Sequence, residues 1–154
     1  MGMLRFSLSE MTPNRYWSLE SRIKKAGAVI TKSLEVKQVL FSKKNLRSIL
    51  YNLIANGIKF ANGSTPLIHI AIIRNNDNIV LSVTDNGIGI AKNQVDIIFS
   101  MYGRLNKELE GQGIGLYLAK KIIDAANGSI SVKSEMGKGS TFYICLPIPV
   151  MTAD

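Results

Sequence analysis

The chain has only one cysteine and one histidine among its 154 residues. A single cysteine, Cys145, excludes an internal disulfide, and its strand-like surroundings are typical of a buried thiol in a reducing compartment. Zinc is usually held by several cysteine and histidine side chains together, so one of each argues against the usual zinc site.

Long apolar runs are also missing. The two longest, residues 67–73 and 143–151, are far shorter than the ~20 residues that a membrane-spanning helix requires. Residues 1–8 include an arginine and lack the sustained apolar segment of a signal peptide. We therefore expect a domain that makes no membrane contact.

The net charge of +8 favours anionic partners, such as phosphates, nucleic acid or a membrane surface. The basic residues are scattered, often as doublets such as Lys24-Lys25 and Lys120-Lys121, and form no stripe interleaved with aromatic residues. We therefore predict no nucleic-acid binding. With 46% hydrophobic and 19% charged residues, the composition indicates one globular domain with a sizeable core.

Hydrophobic periodicity and turn residues predict hairpins beside helices, without strict strand–helix alternation. This order favours an α+β fold, a two-layer sandwich with helices on one face of a mixed, mostly antiparallel sheet. The predicted strands lie within residues 1–13 and at 28–34, 67–74, 79–85, 129–134 and 141–146, and residues 36–41 are a short extended segment or a connection. The predicted helices are a short one ending at Gly27, one at 45–60 between an N-cap at Ser42 and a left-handed cap at Gly63, a brief one at 91–99, and one at 114–126 with Ile114, Leu118, Ile122 and Ala125 on one side.

The helix predicted at residues 45–60 carries the first candidate site. Asn52, Asn56 and Lys59 are four and then three residues apart, so their side chains share one face. Two amides and an ammonium on so apolar a helix need polar partners, because an unpaired polar group in a dry site costs about 1–3 kcal/mol. Taken alone, the face is better explained by contact with water than by a site.

Two glycine clusters follow. Residues 85–89 read Asp-Asn-Gly-Ile-Gly at the end of a predicted strand, where glycine permits close approach of the backbone to a ligand. Residues 111–115 read Gly-Gln-Gly-Ile-Gly and run into a predicted helix, whose N-terminal N–H groups favour an anion. This second cluster follows no strand and contains no Gly-Lys-Ser/Thr, which excludes a dinucleotide fingerprint and a Walker loop.

The order of these motifs is more specific than any one of them. From about residue 28 to residue 147, the chain resembles the catalytic, ATP-binding domain of sensor histidine kinases, in the gyrase/Hsp90/histidine kinase/MutL superfamily, and the resemblance implies a Bergerat-type fold. The matching motifs are Asn52 to Lys59 for the N box, Asp85 to Gly89 for the first glycine box, Phe99 for the F box, Gly111 to Leu116 for the second glycine box, and the tail with Gly137-Lys138-Gly139-Ser140-Thr141-Phe142.

The resemblance implies that the cofactor is ATP and that Asp85 accepts a hydrogen bond from the adenine amino group. Gly87 and Gly89 would let the chain pass beside the purine without a Cβ clash. Thr141 corresponds to the second polar contact near adenine, reached directly or through water. Phe60 either lies near the purine, as in related domains, or packs in the core.

At the phosphate end, the resemblance assigns Mg²⁺ to the amide oxygen of Asn56 and the phosphate oxygens to Lys59. Phe99 would anchor a lid at about residues 100–112, in which Arg104 or Lys107 reaches the γ-phosphate. The second glycine box would receive the phosphates on its N–H groups and comprises Gly111, Gln112, Gly113, Ile114, Gly115 and Leu116.

The residue four positions before Asn56 indicates the reaction. Water-splitting members of the superfamily have a glutamate there as general base, whereas this chain has Asn52, which cannot take a proton. We therefore expect transfer of the γ-phosphoryl group to another domain, by positioning and charge neutralisation. The resemblance names the acceptor as a histidine on a dimeric helical hairpin, and a response regulator as the next partner. His69 lies in a strand pattern and is not the acceptor.

These expectations divide the chain into an initial strand and helix at residues 1–27, the ATP-binding domain at 28–149 and a tail at 150–154. The resemblance implies a cytoplasmic domain, which can belong to a membrane-anchored sensor. Two other interpretations stay open. One is a serine kinase of the anti-sigma-factor type, and the other is a regulatory domain that binds nucleotide without transfer, suggested by Gly57 where alanine is usual.

Overall fold

The computed structural model describes residues 4–7, 20–76, 78–100 and 115–147. The strands are β1 (Leu4–Ser7), β2 (Val29–Leu34), β3 (Gln38–Phe41), β4 (Leu67–Asn75), β5 (Asn78–Asp85), β6 (Ser129–Glu135) and β7 (Gly139–Leu146). The helices are α1 (Glu20–Ala26), α2 (Lys43–Lys59), α3 (Gly115–Ala125) and a 3-10 helix (Lys92–Gln94). None of the helices in these described ranges is both long enough and apolar enough to cross a bilayer.

Five strands form one mixed sheet in the order β2-β4-β5-β7-β6. The pair β2–β4 is parallel, and the other three pairs are antiparallel. The β1 and β3 strands form a separate antiparallel pair. The predicted α+β architecture, with a mixed, mostly antiparallel sheet, is confirmed. The domain boundaries stay predictions, although β1 pairs with β3 and Ile23 of α1 is buried in the core.

The core lies between the sheet and helices α2 and α3. Every second residue of the central strands is buried against the helices, because side chains in a strand alternate between the two faces of a sheet. These residues are Ile68, Ile70 and Ile72 of β4, Ile79, Leu81 and Val83 of β5, and Phe142, Ile144 and Leu146 of β7. The opposite face of the sheet is open, and it exposes Leu67 and Ile73 of β4.

Helix α2 is the central helix of the domain. Ser42 caps its N-terminus as predicted, and the Ser42 hydroxyl accepts a hydrogen bond from the backbone N–H of Asn45 at 3.2 Å. The predicted C-terminal cap at Gly63 is wrong, because the helix ends at Lys59 and Phe60 is its C-cap. The Phe60 carbonyl accepts a hydrogen bond from the loop after β5.

Two other helix predictions need correction. The segment predicted as a brief helix at residues 91–99 forms only a 3-10 helix of three residues, followed by turns. In α3, Ala119 and Ile123 face the core, whereas Leu118 and Ala125 are exposed. The apolar residues of α3 form two overlapping stripes, and periodicity does not tell which stripe meets the sheet.

We expect Ser42→Ala to lower the free energy of unfolding by about 1 kcal/mol, because the N-terminal N–H groups of α2 lose their side-chain acceptor. Urea denaturation followed by circular dichroism measures this loss. The matched control is Ser48→Ala within α2, which keeps the carbonyl that Asn52 contacts. Equal stability of the wild type and Ser42→Ala would contradict the assigned cap.

Candidate functional site

The site is built where the end of β5 meets α2. Asp85 is the last residue of β5, and its side chain faces the helix at Gly57. A Cβ built on Gly57 would lie 3.3 Å from the Cβ of Asp85 and 3.0 Å from the Cδ1 of Ile68. The missing side chain therefore lets the turn of α2 that carries Asn56 lie directly against Asp85. This packing is a structural reason for glycine at position 57.

Backbone groups hold the Asp85 carboxylate. Its Oδ1 accepts a hydrogen bond from the N–H of Gly87 at 2.9 Å, and the N–H of Ser140 donates a second one. Burial raises the pKa of Asp85, and the two backbone N–H groups lower it by less. The backbone thus orients the carboxylate, but its hydrogen bonds do not fully replace the hydration that the carboxylate loses on burial.

The glycine-rich loop after β5 is tied to the end of α2 and to the start of β4. The N–H of Ile88 donates to the carbonyl of Phe60 at 3.0 Å. A Cβ on Gly87 would lie 2.6 Å from that same carbonyl oxygen, so only glycine permits this approach. The Asn86 amide donates to the Thr65 carbonyl at 3.0 Å and accepts from the Leu67 N–H at 2.8 Å.

The turn between β6 and β7 holds the other side of the loop. The N–H of Gly137 donates to the Ile88 carbonyl at 2.8 Å, and the Asn62 amide donates to the Gly137 carbonyl at 3.1 Å. A Cβ on Gly89 would overlap the Glu135 carbonyl. Close backbone contacts on two sides therefore fix the loop that carries Asp85.

The polar face of α2 separates into three environments. The Asn52 amide donates to the Ser48 carbonyl of its own helix at 3.0 Å. The Asn56 side chain is half-buried and has no hydrogen-bond partner within the described ranges. The Lys59 ammonium lies 5.3 Å from the centre of the Phe60 ring. The three predicted residues thus lie on one side of the helix, and Asn56 directly precedes Gly57, the residue that contacts Asp85.

The structure corrects the assignment of Thr141. Its side chain lies on the open face of the sheet, where its hydroxyl is 3.1 Å from that of Thr84, and not beside Asp85. The neighbouring Ser140 is buried, pairs with Asp85 across the strands and donates its N–H to that carboxylate. Strand alternation could have revealed this, since Phe142, with the same parity as Ser140, is an evident core residue.

The phosphate end of the predicted site is described only in part. Gly115 is the first residue of α3, as expected for a glycine cluster that opens a helix, and Leu116 packs against the core. The Phe99 ring meets the Phe142 ring edge-on at 6.2 Å, which anchors the segment before residue 101. The remaining predicted residues, Arg104, Gly111, Gln112, Gly113 and Ile114, lie outside the described residues.

Comparison with known proteins identifies the family to which the chain is similar. Residues 42–150 match the model of the histidine kinase-, DNA gyrase B-, and HSP90-like ATPases. The chain is 41% identical to cyanobacterial phytochrome A of Nostoc sp. over 133 residues. This aligned segment covers 85% of this chain and 17% of that protein. Over 143 residues it is 39% identical to the phytochrome-like protein Cph1 of Synechocystis sp., covering 92% of this chain and 19% of that protein. The chain thus spans less than a fifth of either relative.

A solved structure gives the same result for the fold. The catalytic domain of the histidine kinase ThkA superposes with a TM-score of 0.79 at 25% identity, covering 97% of this chain and 97% of that one. The fold of the chain is therefore that of a known catalytic domain.

The contact of Gly89 with the β6–β7 turn gives a matched test. Gly89 and Gly137 have almost equal backbone angles, with φ of 81° and 83°, but only Gly89 has atoms within 4 Å of a built Cβ. We expect Gly137→Ala to cost about 1–2 kcal/mol of stability for the left-handed conformation alone. Gly89→Ala should cost about 1–3 kcal/mol more, because its Cβ overlaps backbone. Thermal unfolding of both variants measures the difference, and equal losses would refute the contact.

The raised pKa of Asp85 predicts how stability depends on pH. The folded state binds a proton at Asp85 more readily than the unfolded state, so the stability from that proton is present at low pH and lost as the pH rises through the folded-state pKa. Relative to Asp85→Asn, the wild type should therefore lose free energy of unfolding as the pH rises from about 4 toward neutrality.

Denaturation at a series of pH values measures this difference. Asp124→Asn, on the exposed side of α3, is the control for removing one carboxylate from the molecule. The prediction would be contradicted if the wild type gained free energy of unfolding relative to Asp85→Asn as the pH rises, because a buried, poorly solvated carboxylate has the opposite effect.

Proposed function

The chain belongs to the family of histidine kinase-, DNA gyrase B- and HSP90-like ATPases, and from this we propose that it is the ATP-binding catalytic domain of a two-component sensor kinase. Its γ-phosphoryl acceptor would be a histidine on a separate domain. The observation that carries the proposal is the contact of Asp85 with the turn of α2 that contains Asn56 and Gly57. This contact would place the carboxylate that binds the base near the amide that binds the metal.

At the base end, Asp85 would accept a hydrogen bond from the amino group of adenine. Its carboxylate is already oriented by two backbone N–H groups, so little reorganisation is needed when the nucleotide binds. A purine would relieve the poor solvation of the carboxylate by donating to it. Ser140 supplies a buried hydroxyl at the same point, in the place expected for Thr141.

At the phosphate end, Asn56 would hold Mg²⁺ through its neutral oxygen. The half-buried amide without a partner in the described ranges fits a cation that takes few protein ligands and keeps its phosphates and waters. When bound, Mg²⁺ would neutralise charge on the phosphates. Lys59 would add a point charge. Arg104, Gly111, Gln112, Gly113 and Ile114 complete the phosphate contacts in this proposal, together with Gly115 and Leu116 at the start of α3.

The reaction would be transfer rather than hydrolysis. Asn52 occupies the place where a general base would activate water, and its amide is bonded to its own helix. The domain would align the γ-phosphoryl group with an incoming imidazole nitrogen, and ADP would leave with the bridging oxygen. A helical dimerisation domain and a response regulator are the proposed partners, in the cytoplasm where ATP is supplied.

Transfer to a separately produced helical-hairpin domain tests this function. With radiolabelled ATP and Mg²⁺, we expect acid-labile label on the hairpin. Asn56→Asp and Asp85→Asn should each abolish the label, because the first places a negative charge beside the triphosphate and the second replaces the carboxylate that accepts from the base by an amide. His69→Ala is the matched control and should transfer normally, since His69 lies in β4 and pairs with Thr31 at 2.6 Å.

Other outcomes would favour other functions. Acid-stable label on a partner protein would indicate a serine kinase, and binding of ATP with no label would indicate a regulatory domain. Normal transfer by Asn56→Asp or Asp85→Asn would show that the site residues are assigned wrongly.

A further inference from the structure

The hydroxyl of Ser134, near the end of β6, joins three groups around the candidate site. Its Oγ lies 2.6 Å from the backbone nitrogen of Ile90, 3.0 Å from the carbonyl oxygen of Gly139 and 2.7 Å from the Oγ of Ser140. Ser134 is half-buried and pairs with Ser140 across the β6–β7 hairpin.

The direction of each bond follows from counting protons. A serine hydroxyl has one proton to donate and two lone pairs to accept with. The Ile90 N–H can only donate, and the Gly139 carbonyl can only accept. All three contacts are hydrogen bonds at the same time in only one arrangement, in which Ser134 donates its single proton to Gly139 and accepts from Ile90 and Ser140. In this arrangement the Ser140 hydroxyl donates its own proton to Ser134.

This direction decides what Ser140 shows to a ligand. With its proton committed to Ser134, the Ser140 hydroxyl has only lone pairs left for other contacts. The neighbouring Asp85 carboxylate, when ionised, is also an acceptor without a proton. The two side chains at this end of the pocket thus accept hydrogen bonds and donate none.

We propose that Ser134 is a positioning residue that sets the base preference of the site, by making Ser140 an acceptor. This inference rests on the proposed nucleotide site. A 6-aminopurine places its donor, the amino group, against the two acceptors, whereas a 6-oxopurine places an oxygen there and has its donor on the neighbouring N1 instead. A site discriminates strongly between two such bases when the wrong base leaves polar atoms of the site without a hydrogen-bond partner.

The test compares the dissociation constants of ATP and inosine triphosphate, measured by calorimetry at pH 7.5 with Mg²⁺. In Ser134→Ala, the Ser140 hydroxyl loses its acceptor and can donate to the oxygen of a 6-oxopurine or to Asp85. Either change weakens the preference of the site for a 6-aminopurine. We expect the ratio of the two dissociation constants to narrow by about 3- to 10-fold. Ser134→Thr keeps a hydroxyl and should keep the wild-type ratio.

Ser131→Ala is the matched control, because Ser131 lies in the same strand but faces solvent, and its ratio should not change. Thermal unfolding of each variant separates loss of stability from loss of selectivity. If Ser134→Ala does not fold, Ser134→Cys provides a near-isosteric thiol that accepts weakly and should also narrow the ratio.

A lower melting temperature with an unchanged or wider ratio would show that Ser134 is only structural, and this would overturn the inference. Equal binding of both nucleotides by the wild type would overturn it as well, while leaving the nucleotide site intact. Failure of the wild type to bind ATP would instead refute the proposed function.

Discussion

The carboxylate of Asp85 is removed from much of its water at the end of β5, and among the described residues two backbone N–H groups offset part of this loss. A buried charge without full compensation destabilises a fold, so its surroundings must hold it in place. In the described part of the chain, backbone groups rather than cationic side chains make these contacts. The result is a rigid acceptor that gains from a ligand able to donate hydrogen bonds.

The position of Asp85 in turn depends on how closely three segments approach one another. The end of α2 contacts the glycine-rich loop through the Phe60 carbonyl, and the β6–β7 turn contacts it through Glu135 and Gly137. These contacts leave no room for a Cβ at Gly87 or Gly89. The glycines are therefore required by packing of protein on protein, in addition to any approach of a ligand.

Much of the fold could be predicted because long amphipathic or alternating segments have one dominant solution. The α2 helix with its cap at Ser42 and the β4–β5 hairpin are examples. Predictions were wrong where two local solutions were similar in pattern. Leu118 and Ala119 belong to overlapping apolar stripes of α3, and only contact with the sheet shows that Ala119 is the buried one. Thr141 and Ser140 are both small and polar, and only the register of β7 places Ser140 beside Asp85.

The sequence by itself determined the family, the motif order and the chemical types of the candidate residues, because these depend on residue identity and on spacing along the chain. The tertiary structure alone decided three things: that Gly57 packs against Asp85, that Ser140 rather than Thr141 pairs with Asp85, and that the hydroxyls of Ser134 and Ser140 meet. The first two contacts join residues that are far apart in the chain, and the third joins two residues across the β6–β7 hairpin. Such contacts depend on strand register and on the distance between helix and sheet, and no local pattern of residues specifies either.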